Sequence, residues 1–356
     1  MRKGHLRSEL LMLLFLFFGF GTCTSHASQI TQHRVFILHS YDALDVCGKP
    51  QHEGVLAALK KEGFEEEDLV LEVFYMDTKR RNNTPELIEE QAHLALEKIR
   101  SFGPHVLVTF DDNAFRTVAL DLVDSSIKIV FCGMNGQPES YHQMRPFMDS
   151  RPVPGHNITG VYEKLHVVDA IKVHSKLFPG LKKIKFFVDP SPTGKAVQTQ
   201  IELEMGKSSF PFSWEIRLVN SWEEYQEEIR SVSGDAEVDA FYPAALLLKD
   251  RKGTTYTPPE IFAWTVQHSR KPEIALNYEF TRMGLFGGAA VDFYAMGSQA
   301  GKMVARCLRG ESPGRIRIQD AEKYALVFNI KRAEQLGIMI PADILMAADE
   351  VVTGLK

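Results

Sequence analysis

Val106-Leu107-Val108-Thr109-Phe110, then residues 112–123, then Ile127-Lys128-Ile129-Val130-Phe131-Cys132 with Gly133 behind it: this stretch decides the fold. An apolar run of strand length is followed by an amphipathic stretch of helix length, with Asp111 or Asp112 as its cap, and by a second apolar run. Strands apolar at nearly every position are buried on both faces, which is the habit of parallel sheets covered by helices on each side. The same unit repeats outward. Upstream, 34–39 and 69–75 read as strands and 49–61 as a helix ended by Gly63. Residues 84–102 form a helix with Thr84 as N-cap, Pro85 at its first position and Gly103-Pro104 as its stop. Downstream, beyond the Pro/Gly-rich stretch Arg151-Pro152-Val153-Pro154-Gly155, the alternation restarts. Strands are read at 158–162, 183–188, 214–219, 238–242 and 274–276. Helices are read at 167–178, 194–207, 221–232 and 257–269, with Ser221 and Glu224 placed as a capping box. The fold class is therefore α/β, with two units at about 33–160 and 161–287. The tail holds a Gly-rich extended stretch to Val291, a helix over 294–308 with small residues on one face (Ala295, Gly297, Ala300, Gly301), a strand at 324–328 and two short helices. It is too short for a third domain and completes the two sheets.

Composition narrows the function. The chain has 356 residues, 44% hydrophobic and 24% charged, with a net charge of −5. That excludes disorder, collagen, a coiled coil and a multi-span membrane protein, and gives no basic excess for nucleic acid. Arg2, Lys3 and Arg7 precede the apolar run 10–20, and Ser25-His26-Ala27 offers small residues to a signal peptidase. This is the layout of a secretory signal peptide over 1–27; the run is short of the roughly 20 residues of a spanning helix. Thr22 before Cys23 makes a poor lipidation signal. The mature chain is expected to be soluble in the periplasm. Its three cysteines, Cys47, Cys132 and Cys307, form no disulfide framework and read as buried small apolar groups.

Several segments, in order, resemble one family: the type I periplasmic substrate-binding proteins of ABC transporters, in the branch that includes tryptophan- and tyrosine-binding proteins. They are Val108-Thr109-Phe110-Asp111-Asp112-Asn113-Ala114, Lys128-Ile129-Val130-Phe131-Cys132-Gly133-Met134-Asn135, Asn157-Ile158-Thr159-Gly160-Val161 and Leu177-Phe178-Pro179-Gly180-Leu181-Lys182-Lys183-Ile184. Val238-Asp239-Ala240-Phe241-Tyr242, Gly287–Gly297 and Asn329–Pro341 follow. The resemblance implies two Rossmann-like lobes with parallel sheets, joined by a three-crossover hinge and closing on a small polar organic ligand such as an amino acid. It puts 33–160 plus 288–326 in lobe one and 161–287 plus 327–356 in lobe two. It implies no enzyme activity and no cofactor. The expected partners are the ligand and ABC permease subunits, or a sensor kinase in related sensing domains, with a monomeric chain.

Ligands of open parallel sheets sit beyond the carboxyl ends of the strands. Reading those exits gives Ser40 and Tyr41, Asp112 and Asn113, Asn135, Ser191 and Thr193, Tyr242 and Tyr278, with Gly288 and Asp292 from the Gly-rich crossover. Ser191, Thr193 and the backbone after them open a helix and suit an anion. Asp112, Asn113 and Asp292 suit an amine, and the tyrosines offer flat walls with a polar tip. Each also has a plain structural role open to it: Asp112, Ser191 and Thr193 as caps, Asn113 and Asn135 in loops, the tyrosines at core edges, Asp292 across the hinge. No metal site is expected. There is no GxGxxG after the first strand, no GxxxxGK[ST] and no GxSxG, which leaves a secreted α/β hydrolase as the weaker alternative.

Overall fold

The computed structural model describes residues 32–353 apart from Ala245; the expected leader and Cys23 lie outside the described residues. The first α/β run comprises β1 (His33–His39), α1 (Gly48–Lys61), β2 (Leu69–Tyr75), α2 (Pro85–Phe102), β3 (Val106–Phe110), α3 (Asp111–Ala114), β4 (Lys128–Met134), α4 (Pro138–Met144) and β5 (Ile158–Tyr162). The second comprises α5 (Val167–Leu177), β6 (Lys183–Val188), α6 (Pro192–Gly206), β7 (Ser213–Leu218), α7 (Trp222–Gly234), β8 (Ala240–Pro243), β9 (Leu248–Lys249), β10 (Thr255–Tyr256), α8 (Pro258–His268), α9 (Tyr278–Arg282) and β11 (Gly287–Val291). The tail adds α10 (Phe293–Leu308), β12 (Gln319–Asp320), β13 (Tyr324–Asn329), α11 (Ile330–Leu336), α12 (Ala342–Met346) and β14 (Glu350–Val352).

The strands that read as continuously apolar are the buried centres of two sheets. The first sheet runs β12-β5-β4-β3-β1-β2, parallel throughout. Val35–Leu38 and Val106–Val108 have no exposed surface. The second lobe holds β7-β6-β8, parallel, and β11-β13-β14, linked through bridges at Glu273, Ile274 and Asn277. The stretch 274–276, expected as a strand, makes only these bridges. Among the described residues the antiparallel pairs are the two-residue hairpin β9-β10 and, within the main sheet of the second lobe, β11 with β13, a departure from the all-parallel expectation. The cause is the chain path. After Val291 the chain leaves into α10, which packs on α1 and the first sheet. It comes back beside the point of departure, with Tyr324 opposite Val291, and so runs the other way. The connections after β5, after β11 and after β12 are the three crossovers between the lobes.

The small face of α10 has a partner. A Cβ on Gly297 would lie 2.0 Å from the Gln51 carbonyl oxygen, and one on Gly54 2.2 Å from that of Tyr294. The backbones of α1 and α10 touch where neither side chain exists, and this clamps the crossover helix to the first lobe. Residues 112–123, expected as one helix, form the single turn α3, then a π-turn segment (Phe115–Ala119) and a 3₁₀ turn (Leu120–Leu122). Among the described residues no helix is long and apolar enough to cross a membrane.

Candidate functional site

The exits of the two parallel sheets face each other, and their polar residues are buried between them. Two of the sequence-selected residues meet across the gap: the Tyr41 hydroxyl lies 3.3 Å from Thr193 Oγ1. Gln200 of α6 reaches over as well, donating to the carbonyls of Asn135 (3.1 Å) and Glu163 (2.9 Å). At the rim, Arg80 donates to Thr257 Oγ1 at 2.7 Å and to Glu260 at 3.3 Å.

Several selected residues build the rim and spend their polar atoms doing so. Ser40 Oγ donates to the Phe110 carbonyl and accepts from the Ala114 N–H, tying the exit of β1 to that of β3. Asp112 accepts from the N–H groups of Asn135 and Gly136 and, at 2.6 Å, from the Tyr141 hydroxyl. Asn113 donates to Thr78 Oγ1. Ser191 caps α6 through the Gly194 N–H, and buried Asp189 accepts from the N–H groups of Ser191, Leu246 and Leu247. The helix end expected to hold an anion is thus already capped by the chain itself. Tyr242 is fully buried, stacked on Phe186, with a hydroxyl that has no partner.

Tyr278 and Asp292 stand apart from these. They line a cavity of about 590 Å³ together with Leu44, Asp45 and Glu53. Asp292 caps α10 through the Ala295 N–H, and the Tyr278 ring lies under the Arg282 guanidinium at 4.8 Å. A second cavity, about 670 Å³, shares Leu44, Asp45 and Val46 with the first. Gly288 is not brought to the cleft. It sits within the second sheet at φ +125°, where a Cβ would meet the His174 ring at 2.8 Å.

The strongest electrostatics belong to residues the sequence reading passed over. Lys79 Nζ donates to Asp45 Oδ2 at 2.9 Å and stands 3.5 Å above the Tyr41 ring. Burial works against the Asp45 charge, but Lys79 and the N–H groups of Gly48 and Cys47 hold its carboxyl below the ordinary range. Asp111, buried and at φ +63°, is pushed well up by burial and by the charges of Asp45, Glu163 and Asp112. Burial raises Glu163 to about 8. Lys79 follows β2 and Glu163 follows β5, the two strands of the first lobe whose exits were not read. Extending the same rule to those exits would have found both. The thiols of Cys47 and Cys132 are buried, free and pushed up by burial, as small core groups are.

A family description, ABC transporter substrate binding protein, matches residues 35–352. The chain belongs to that family. No curated protein sequence matches it. Among solved structures, this substrate-binding protein is similar to an ABC domain from Streptococcus pneumonia in complex with L-Trp, at 18% identity and TM-score 0.68, covering 90% of this chain and 100% of that one. It is similar to a conserved domain protein from Vibrio cholerae at 20% identity and TM-score 0.67, covering 90% and 99%. It is also similar to a ligand-free, open substrate binding protein with adhesive properties from Clostridium difficile, at 16% identity and TM-score 0.66, covering 90% and 100%. At such identities the likeness is one of fold. It bears out the two-lobed periplasmic-binding-protein architecture. Proteins of this family bind small-molecule ligands and deliver them to ABC permeases.

Proposed function

We propose that the mature chain works in the periplasm, after removal of residues 1–27, as a non-catalytic carrier. It captures a small polar organic solute, such as an amino acid, between its lobes and presents the closed form to an ABC permease. The observation that carries this reading is the Tyr41–Thr193 contact. It joins one side chain from each lobe in a polar, part-buried seam, so a solute lodged there touches both lobes and favours the closed state over the open one. The proposed lobes are 33–160 plus 288–326 and 161–287 plus 327–356, and the proposed contacts include Tyr41, Asn135, Thr193 and Tyr242. The L-Trp complex of a structural neighbour supports an amino acid as the first class to try.

The test is a thermal-shift screen of the mature protein against amino acids, amines, nucleosides and small carboxylates. A bound compound stabilises by RT ln(1 + [L]/Kd), about 2.7 kcal/mol at 100-fold excess over Kd. A clear rise with one chemical class is the expected result. Cleavage of ester or phosphate reporters with no stabilising compound would contradict it. N-terminal sequencing of the periplasmic fraction checks the leader; retention of residues 1–27 would be the opposing result.

A further inference from the structure

The charge between the lobes is one-sided. Asp45, Asp111, Asp112 and Glu163 are all buried there, and among the described residues the lysine or arginine buried with them is Lys79, the buried His39 ring being held neutral by burial. Lys79 is committed to Asp45 at 2.9 Å. Asp112 is committed to three donors. That leaves Asp111, beside the Asp112 that holds the Asn135 N–H, and Glu163, whose carbonyl shares the Gln200 amide with that of Asn135; the Glu163 charge opposes the ionisation of Asp111. A further polar group points to an occupant. Asn135 is buried alongside Glu163, with its amide turned to that carboxylate. The fully buried Tyr242 hydroxyl, from the other lobe, has no partner and feels the charges of Glu204 and Glu163. Buried polar atoms are seldom left unpaired, and this one, from the opposite lobe to two carboxylates without a cationic partner, marks a place for a ligand. The start of α6, where an anion was expected, is occupied by Ser191 and Asp189, which take the Gly194 and Ser191 N–H groups.

We infer that the solute is recognised through a cationic nitrogen held between Asp111 and Glu163, with the Tyr242 hydroxyl accepting from it and the Asn135 amide steadying the Glu163 carboxylate. A ligand carboxylate is not required. This rests on the solute-carrier reading and narrows it to amines and other protonated nitrogen compounds.

Calorimetric titration of the full mature protein with matched probes separates the poles: L-tryptophan, tryptamine and indole-3-propionate; L-leucine, isopentylamine and 4-methylpentanoate; L-lysine and cadaverine; with uridine and myo-inositol as neutral solutes. The expected result is binding by at least one amine, none by its deaminated acid, and a loss of at least tenfold in Asp111→Asn and Glu163→Gln. Both substitutions keep the side-chain shape, and Asn tolerates the positive φ of position 111. The melting temperature without ligand reports that each variant is folded. Binding of an amino acid whose amine does not bind, or of an acid or neutral solute in place of any amine, overturns the inference and leaves the carrier reading standing. Amine binding undiminished in both variants overturns the placement. No binding by any probe overturns both.

Discussion

Asp112 shows how a residue can be legible in kind and misread in role. Its position at a strand exit was plain, but its carboxylate holds the β4 turn through Asn135, Gly136 and Tyr141. Asp112→Ala leaves those donors unpaired and is predicted to cost about 3 kcal/mol of unfolding free energy, whereas Tyr141→Phe costs about 1 kcal/mol; urea denaturation checks both. The Glu163 carboxyl, facing Asp112, Asp45 and Lys79 with the Asn135 amide beside it, titrates near 8 in the folded chain because it is buried. In the unfolded chain it ionises in the ordinary carboxylate range. Above that range the native state holds a proton the unfolded state has lost, so stability falls as pH rises towards 8. Glu163→Gln is predicted to flatten the fall between pH 6.5 and 8. On the acid side burial lowers His39 to about 3 and His174 to about 4. Both stay neutral while the unfolded chain takes up protons, so stability also falls as pH drops below about 6.5. None of these values is readable from sequence, because each depends on what the fold stacks around the group.

Elements were more legible than sites. The strands β2, β3, β5 and β6 have the expected limits, because continuous apolar runs bounded by Pro, Gly and caps admit few other readings. The segment after β3 was misread as a regular helix. Its composition is helical, but Asp111 enters in a left-handed conformation and Ser40 takes the Ala114 N–H, and the turns that follow are irregular. The small face of α10 was visible, but its partner was not, since pairing with α1 arises only once the chain crosses between lobes. Gly297→Ala drives a Cβ into the Gln51 carbonyl and is predicted to cost about 3 kcal/mol. Gly206→Ala, at the open end of α6 with nothing within 4 Å, is predicted to be neutral or slightly stabilising. Equal melting temperatures for the two variants would contradict the close approach.

The whole molecule is two α/β lobes whose strand exits meet, with the rim fastened by Arg80 to Thr257 and Glu260. Arg80→Ala is predicted to shift the ligand-free population towards open forms, seen as a larger radius of gyration in small-angle scattering and a ligand affinity lower by a few fold. The fold could be read because repetition of one βα unit is a pattern in the chain. The members of the charge cluster lie at strand exits and could be reached by the same rule, but their grouping could not, because Asp45, Lys79, Asp111 and Glu163 come from four separate exits and only the order of strands in the sheet collects them. The most direct test is calorimetric titration of the compound that stabilises the protein most in the screen, against Asp111→Asn from one lobe and Tyr242→Phe from the other. A solute gripped between the lobes must lose at least tenfold in affinity in each variant, while removal of the unpaired Tyr242 hydroxyl leaves the ligand-free protein as stable as before or more so. Unchanged affinity in both variants would place the solute elsewhere and contradict the account.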